Sequence, residues 1–413
     1  MEAPPTPEAS EPLARVARGG AGACAAMEMR HFRRVFATRL APLLIAVFAA
    51  AAATPVPPDL AAPLAAIRAV GPEGAGNAAA SVAWRTLASR GANELTFLLE
   101  AMAGANDLAQ NWLRAAVDTI ASREIAAGRT LPMPGLLEFL RDRTQDPQAR
   151  WLAYQWIARQ DPARAAELAP TMLDDPSNAL RREGVARLVR EAATFQAGGN
   201  HEGAVARYRP ALEAARDLDQ VEAIAKALRE LGEAVNLQEV FGWVTNWKVI
   251  GPFDNTGRAG FERVFPPETE LRPDAEYDGK TGKVRWRELR TADAYGMLDL
   301  NKPLGAAKEV TGYAWAEFEA AQESSAELRL GCKNGWKIWF NGQFVFGRDE
   351  YHRGAEIDQY RLPVTLKPGP NTILVKLCQN EEVEDWTVEW EFQLRVTDPA
   401  GKPIRAGSDG QAR

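Results

Sequence analysis

The spacing of apolar residues changes once along this chain of 413 residues, and that change constrains the fold more than any other feature. From position 81 to about position 237, apolar residues recur at the spacing typical of amphipathic helices. After Gly232 they alternate with polar residues in short runs separated by turns, which is typical of antiparallel strands. We therefore predict a multidomain α and β protein. An N-terminal α-solenoid or helical bundle over 79–240 precedes an antiparallel β-sandwich over 241–400.

The clearest local signal is a hairpin in the second half of the chain. Positions 336–346 hold two short apolar runs joined by Asn341 and Gly342, and both of these residues tolerate a positive φ. The stretch is therefore predicted to form a tight β-hairpin. Trp339 falls on the opposite phase from Trp336. We therefore expect Trp336 in the core and Trp339 on an exposed face, where its ring is a candidate stacking surface.

The last predicted strand has the most regular alternation. From position 386 to position 396, apolar and polar residues alternate strictly, which predicts one buried and one solvated face. Trp386 and Trp390 then belong to the core. Further strands are predicted at 247–250, 284–289, 313–318, 327–330, 360–364 and 372–377.

Three segments in this half also carry a family resemblance. They are ELRLG at 327–331, WKIWFNG at 336–342 and LKPGPNTILVK at 366–376. Their order and spacing over about 310–396 resemble the galactose-binding-like jelly roll, which includes the sugar-binding domain of family 2 glycoside hydrolases. Positions 243–255 resemble the first strand of that domain in bacterial exported proteins. The resemblance implies a jelly roll with ligands held by loops at one end, and it does not specify the ligand.

The helical half contains a repeated device. Asp-Pro pairs occur at 146, 161 and 175, and the Asp is suited to cap a helix whose first turn accepts the Pro. The pairs at 146 and 175 precede helices that carry Arg and small apolar residues, which resembles HEAT-type repeats. Positions 199–212 resemble one tetratricopeptide-type unit. A helical domain without true repeats is the alternative. The repeat interpretation implies that this domain binds a protein partner.

The N-terminal region has the layout of a secretory signal peptide. Four arginines between positions 30 and 39 precede a largely apolar stretch over 40–53 that ends in small residues. A membrane-spanning helix needs about 20 apolar residues, so an uncleaved membrane anchor is the less favoured alternative. The signal peptide is predicted over 27–53, which implies a periplasmic or extracellular protein. The flanking predictions are a disordered segment or mis-assigned start over 1–26, an Ala/Pro/Gly-rich linker over 54–78 and a disordered tail over 401–413.

Composition argues against several functional classes. A net charge of -6 and a pI near 5.5 disfavour nucleic acid as a partner. Only two histidines follow the signal peptide, so multi-histidine metal sites are excluded, and no nucleophile elbow, P-loop or Rossmann fingerprint occurs. We therefore predict no enzyme and no cofactor other than a structural calcium. Cys332 and Cys378 are predicted either to pair in an oxidising compartment or to remain buried free thiols.

Polar and aromatic residues suited to sugars are concentrated in two segments, 348–360 and 379–386. Aromatic faces pack on sugar C–H groups, and planar polar side chains pair with vicinal hydroxyls. Internal salt bridges and edge packing are the structural alternative. The ligand-binding candidates are Trp339, Asp349, Tyr351, His352, Arg353, Asp358, Tyr360, Gln379, Asn380, Asp385 and Trp386. The candidate calcium ligands are Asp349, Glu350, Asp358, Glu381 and Asp385.

These observations predict an exported, non-catalytic binding protein whose sandwich recognises carbohydrate and whose helices contact a protein. A structural or assembly protein that uses both domains for protein contacts is the alternative. A third hypothesis is a glycan-active enzyme, because glycoside hydrolysis needs only two suitably placed carboxylates.

Overall fold

The computed structural model of the protein describes residues 56–406. Helices fill the first part of this range and antiparallel sheets fill the second, which confirms the predicted fold class. The predicted signal peptide over 27–53, the segment 1–26 and residues 407–413 lie outside the described residues. No helix between residues 56 and 406 is long and apolar enough to span a membrane.

In the described chain, the helical part consists of α-helices joined by short loops and 3-10 turns. They are α1 (Pro58–Arg68), α2 (Asn77–Ala88), α3 (Leu95–Glu100), α4 (Asp107–Ala126), α5 (Met133–Arg141), α6 (Pro147–Gln160), α7 (Pro162–Leu168), α8 (Asn178–Ala197), α9 (His201–Ala214), α10 (Leu218–Glu230) and α11 (Leu237–Phe241). The helices pack mainly on near neighbours in the chain: α1 on α2, α5 on α6, and α9 on α8 and α10. This sequential packing buries a continuous series of apolar faces.

Two of the three Asp-Pro pairs cap helices as predicted. The Asp146 carboxylate accepts hydrogen bonds from the first backbone N–H groups of α6, and Asp161 does the same for α7. The third pair has a different role, because α8 begins only at Asn178. Asp175 is buried and binds both terminal nitrogens of the Arg150 guanidinium, at 2.8 and 2.7 Å. This buried pair joins α6 to the segment that precedes α8.

The predicted linker over 54–78 is wrong from Pro58 onward. This segment forms α1, and Leu60, Leu64 and Ile67 are buried in the helical core. Their spacing of four and three residues places them on one face of the helix, and Pro58 fits the first turn, where no backbone donor is needed. The Ala-rich composition therefore supports a packed helix.

The predicted tail over 401–413 is also packed where it is described. Pro403 pairs with Thr397 as an isolated β-bridge, and the Ile404 N–H donates to the Val396 carbonyl at 2.9 Å. Ile404 contacts the core of the sandwich. Residues up to 406 thus extend the sandwich beyond its last strand.

The second part of the described chain is a sandwich of two antiparallel sheets. Its elements are β1 (Asn246–Asp254), α12 (Pro266–Thr269), β2 (Glu276–Asp278), β3 (Lys283–Arg285), β4 (Arg287–Arg290), β5 (Leu298–Asp299), α13 (Asn301–Leu304), β6 (Val310–Ala320), β7 (Ser324–Cys332), β8 (Gly335–Phe340), β9 (Gln343–Arg348), β10 (Tyr360–Leu366), β11 (Gly369–Gln379) and β12 (Glu391–Thr397). The six-stranded sheet has the order β4-β1-β6-β11-β8-β9. The four-stranded sheet has the order β10-β7-β12-β5, and β2 pairs with β3 separately.

The core of the sandwich lies between the two sheets. Trp336 and Trp390 are fully buried there, as predicted. The prediction that Trp386 belongs to the core is wrong, because Trp386 is 62% exposed. A 3-10 turn occupies Asp385–Thr387, and β12 begins only at Glu391, so the alternation before that residue does not reflect a strand.

The polar face of β12 is not solvated either. Arg395 is 1% exposed, and its guanidinium lies 5.4 and 5.5 Å from the ring centres of Phe241 and Trp243. Phe241 is the last residue of α11, and Trp243 follows it two residues later. The outer side of β12 in the four-stranded sheet is therefore covered by the junction with the helices.

The outer side of the six-stranded sheet is covered by the segment between β1 and β4. Lys376 of β11 points into this layer and is fully buried. Its ammonium donates to the carbonyls of Phe261 and Arg263 at 3.0 and 2.7 Å, and to the Glu268 carboxylate at 2.8 Å. One buried cation thus holds the covering segment against the sheet.

The Asn-Gly hairpin forms as predicted. Asn341 and Gly342 have φ angles of 51° and 77°, and they connect β8 to β9. A turn with two positive φ angles matches the right-handed twist of the flanking strands. The hairpin forms one edge of the six-stranded sheet.

Of the two alternatives for Cys332 and Cys378, the structure has two buried free thiols and no disulfide between them. Cys332 ends β7 in the four-stranded sheet, whereas Cys378 lies in β11 of the six-stranded sheet. The Cys332 sulfur lies 3.5 Å from the Asn334 carbonyl oxygen, and the Cys378 sulfur lies 3.5 Å from the Thr311 hydroxyl. Each thiol therefore has its own polar partner.

Replacing Lys376 with Met should lower the free energy of unfolding by about 3 kcal/mol, because the buried Glu268 carboxylate loses its countercharge. Chemical denaturation measures this effect. Lys283→Met is the matched control, since Lys283 forms an exposed pair with Asp278 and exposed pairs contribute little. An unchanged denaturation midpoint for Lys376→Met would show that this contact does not secure the covering segment.

Both buried thiols should resist modification in the native protein. Burial raises the pKa of Cys332 to about 12 and that of Cys378 to about 11, so the reactive thiolate is scarce at pH 8. In a Cys24→Ser background, we expect slow reaction with an aromatic disulfide reagent in buffer and the release of two equivalents in denaturant. A mass two daltons lower under non-reducing conditions would indicate a disulfide instead.

Candidate functional site

Loops from four parts of the sandwich meet at one end of it. The Asn255 side-chain amide, after β1, donates to the Gln379 carbonyl at 2.9 Å and contacts the Tyr351 hydroxyl at 3.3 Å. The Glu309 N–H, before β6, donates to the Asn380 carbonyl at 2.9 Å. We call this the four-loop cluster. It comprises Asn255, Arg258, Glu309, Tyr351, His352, Gln379, Asn380, Glu381, Glu382 and Trp386.

His352 is held in the cluster by Asn380 and Glu382. Its Nε2 lies 2.8 Å from the Asn380 Oδ1 and 3.3 Å from a Glu382 carboxylate oxygen. The backbone of His352 has a φ of 57°, and Arg258 and Glu309 in the same cluster have φ angles of 65° and 52°. Three residues other than glycine thus have a left-handed backbone conformation at one end of the sandwich. Such strained conformations often occur at functional sites.

Gln379 supports the cluster from beneath and does not reach its surface. Its side chain is fully buried and accepts from the Asn380 N–H at 3.1 Å and from the Asn334 amide at 3.3 Å. It also donates to the Thr387 carbonyl at 3.0 Å. The predicted ligand contact of Gln379 is therefore wrong, because every polar atom of this side chain is engaged inside the protein. Its role is to position the segment that carries Trp386.

Arg258 provides the charged part of the cluster. Its guanidinium binds the Glu381 carboxylate at 2.7 and 3.1 Å, approaches Glu382 at 3.3 Å and lies 5.1 Å from the ring centre of Tyr351. Hydrogen bonding from Arg258 lowers the pKa of Glu381, while burial raises the pKa of Tyr351. Arg258, Glu381 and Glu382 all remain partly open to solvent.

Trp386 is the exposed aromatic residue of the cluster. Its ring centre lies 5.3 Å from that of His352, with an angle of 83° between the ring planes. Val383 and Val388, which lie three and two residues from Trp386 along the chain, are also exposed. The cluster therefore presents an apolar surface directly beside fixed polar and charged groups.

The remaining predicted residues lie at the rim of this cluster or outside it. Asp349 interacts with Arg258 and Tyr351, and burial raises the pKa of its carboxyl group. Asp385 is exposed next to Trp386, and Arg353 is exposed with its guanidinium 3.3 Å from Glu350.

Asp358 and Tyr360 belong to other parts of the sandwich. Asp358 binds Arg329 and Arg395 under the junction with the helices, at 2.6 and 2.7 Å. The Tyr360 ring lies 4.8 Å from the ring centre of Trp336 and contacts the core. For these two residues the structural alternative is correct, and the predicted ligand contacts are wrong.

Trp339 lies apart from the cluster, on the covered outer side of the six-stranded sheet. It is half-buried and, with Trp315 and Leu374, lines a cavity of about 160 Å³. Its ring lies 5.7 Å from that of Phe344 in an edge-to-face arrangement. Trp339 lies on the face opposite Trp336, as predicted, but this face is only partly open, because the segment between β1 and β4 covers part of the indole.

The predicted calcium ligands are not brought together. Asp358 is held by two arginines under the junction, whereas Glu381 is held by Arg258 in the four-loop cluster. In the part of the chain from 56 to 406, no group of three or more His, Cys, Asp or Glu side chains is arranged to hold a metal ion. The proposed set of calcium ligands is therefore wrong.

Asn255 and Arg258 were not among the predicted site residues. Both come from the loop after β1, and their partners in the cluster are 96 to 124 residues further along the chain. Asn255 lies within the segment that resembles the first jelly-roll strand, which was the one available signal. Nothing in the sequence connects Arg258 with Glu381.

Comparison with protein-family models and with curated protein sequences finds no match. Solved structures with weak similarity include the PA14 domain of the MpAFP antifreeze protein, at 13% identity and a TM-score of 0.19, covering 24% of this chain and 47% of that one. The PA14 sugar-binding domain from an RTX adhesin is 20% identical with a TM-score of 0.16, covering 21% and 44%. A beta-glucosidase from Kluyveromyces marxianus is 9% identical with a TM-score of 0.23, covering 37% and 16%. The matches span less than half of each of these chains.

Replacing Arg258 with Met should raise the pKa of Glu381 towards its ordinary value, because the hydrogen-bonding guanidinium is lost. A folded-state pKa below the unfolded value stabilises the protein at neutral pH, and this contribution disappears as the pH falls through the folded-state pKa. Carboxyl NMR titration, assigned with Glu381→Gln, measures the change. Arg353→Met is the control, since Arg353 approaches Glu350 instead. An unchanged pKa in Arg258→Met would contradict the pairing.

Proposed function

We propose that this protein is an exported, non-catalytic binding protein that recognises carbohydrate through the four-loop cluster. The main observation behind the proposal is the exposed Trp386, whose ring lies against His352, while Glu382 contacts both His352 and Arg258. Sugars combine apolar C–H faces with hydroxyl groups in fixed relative positions. An aromatic ring next to directed polar groups matches both features.

Each part of the cluster has a distinct role in this proposal. The indole of Trp386 packs on the face of a sugar ring. The free lone pairs of Glu381 and Glu382 accept hydrogen bonds from hydroxyl groups, and the remaining N–H groups of Arg258 donate to ring or hydroxyl oxygens. All three charged side chains are partly exposed, so a ligand reaches them without opening the protein.

The polar groups are fixed before any ligand arrives. Arg258 contacts Glu381, Glu382 and the Tyr351 ring at the same time, and Asn380 holds His352. Binding then costs little side-chain entropy, because these rotamers are already selected by internal contacts. This preorganisation supports recognition by an open surface that lacks a deep pocket.

Absence of catalysis is part of the same proposal. The carboxylate of Glu381 is committed to Arg258, and its lowered pKa makes it a poor proton donor at neutral pH. The proposed export depends on the signal-like segment over 27–53. The proposed protein contact of the helical domain is supported by exposed apolar residues on its helices, such as Val82 and Leu108.

A structural or assembly role is the second candidate, because one observation favours it. Val383, Trp386 and Val388 are three exposed apolar residues within one short segment. Exposed apolar patches rimmed by polar residues also mark protein interfaces. The two functions differ in their ligand, so a binding screen separates them.

The test is a glycan array with the purified protein, followed by titration of each glycan that binds. Trp386→Ala should weaken binding at least tenfold, because the apolar contact contributes about 1.4 kcal/mol or more. Phe344→Ala is the matched control, since Phe344 is similarly exposed but lies on the hairpin. Trp339→Ala tests the separate outer cavity.

Each outcome has a defined meaning. Loss of binding in Trp386→Ala alone supports the four-loop cluster, whereas loss in Trp339→Ala alone would move the site to the outer cavity. A stoichiometric protein partner together with an empty glycan array would favour the assembly role. Release of sugar products from a polysaccharide panel, lost in Glu381→Gln, would revive the enzyme hypothesis.

A further inference from the structure

A cavity lies where the helical part meets the end of the sandwich. Its volume is about 540 Å³, within the range of small-molecule sites. The helical part contributes the end of α9 with Arg216, and the sandwich contributes the segment after β12 with Lys402 and Arg405. The cavity is therefore built by both parts of the described chain.

Two of the cations of this cavity, Arg216 and Lys402, lack the ion pair with a carboxylate that most of the described arginines form. Arg216 donates to the backbone carbonyls of Glu213 and Ala215 at 2.5 and 2.8 Å, and it forms no ion pair with any described residue. The ammonium of Lys402 likewise forms no ion pair within residues 56–406.

Nearby carboxylates offset these charges only in part, since Asp174 interacts with Lys402 and Asp398 interacts with Arg216 across space. Asp174 lines the cavity, but it is already bound by Arg143 at 2.7 Å. Glu213 lines it too and is exposed to solvent. The balance of the lining is therefore positive.

Further positive charge lies behind the lining. Arg181 is buried, and its guanidinium is satisfied by the Asp175 carbonyl and the Asn178 side chain without an ion pair among the described residues. Burial and the charge of Arg181 lower the pKa of Arg216 to about 10. A guanidinium that is destabilised by burial and by a like charge gains most from an added anion.

The rest of the lining is largely apolar. The apolar lining residues are Leu173, Pro210, Leu212, Val240 and Pro403. Guanidinium groups match carboxylate, sulfate and phosphate oxygens in a two-point geometry. Apolar walls around cationic groups suit a molecule that carries such an oxyanion on an apolar body.

We propose that this junction cavity binds a small organic oxyanion, which contacts Arg216 and Lys402 and thereby links the helical part to the sandwich. The anionic group contacts the two cations, and the apolar body fills the space against the leucine, valine and proline side chains. The site is separate from the four-loop cluster, and the proposal does not depend on carbohydrate binding.

Calorimetric titration of the full chain tests this proposal, with sodium benzoate, inorganic sulfate and inorganic phosphate as probes at constant ionic strength in sodium chloride. Benzoate should bind more tightly than either inorganic anion, because only benzoate has an apolar body. Arg216→Gln and Lys402→Gln should each weaken benzoate binding at least tenfold. Arg361→Gln is the matched control, since Arg361 is exposed on β10 and does not line the cavity.

A thermal-unfolding measurement accompanies each titration, so that a variant that fails to fold is recognised. If Arg216→Gln is unfolded, Lys402→Gln alone tests the proposed binding site, because Lys402 is exposed and its replacement should leave the fold intact. Binding no stronger than that of chloride would overturn the proposal. So would an equal loss of affinity in Arg361→Gln, which would indicate a general charge effect.

Discussion

The ion triad formed by Asp358, Arg329 and Arg395 joins the two parts of the described chain. The Asp358 carboxylate accepts from Arg329 of β7 and from Arg395 of β12 at 2.6 and 2.7 Å. Arg395 also donates to the Phe241 carbonyl at 3.3 Å and lies against the rings of Phe241 and Trp243. Burial alone would raise the pKa of Asp358, but the two arginines lower it. Together with the Glu327 carboxylate, which lies 2.8 Å from the Arg329 guanidinium, Asp358 balances the two positive charges that are buried at the junction.

The triad also determines where the candidate site lies. Asp358 closes the loop that leads from β9, at one edge of the six-stranded sheet, to β10, at the edge of the four-stranded sheet. The same loop contains Tyr351 and His352 in its first part. There the Asn255 amide contacts Tyr351, and Asn380 contacts His352. One connection between sheets therefore supplies an anchor to the junction and two residues to the four-loop cluster.

The sequence allowed prediction of local structure where the signal was local. The Asn341-Gly342 hairpin needs only two residues with positive φ, and it forms as expected. Trp386 was misplaced because the alternating pattern over 386–390 resembles a strand, although a 3-10 turn occupies Asp385–Thr387 and β12 begins only at Glu391. Arg258 was missed because its partner Glu381 lies 123 residues further along the chain. Contacts at such separations are set by the sheet order, which no short pattern encodes.

The rule that one face of an antiparallel strand is polar and solvated fails for both sheets, and the failure bears on function. The outer face of β12 is covered by the helical junction, and the outer face of β11 is covered by the segment that Lys376 holds. Lys376 and Arg395 on these faces are therefore internal cations with defined partners. With both outer faces largely occupied, the open surface of the sandwich is concentrated at its loop ends and edges. The position of the four-loop cluster follows from this constraint, because its end loops remain free to present Trp386 to solvent.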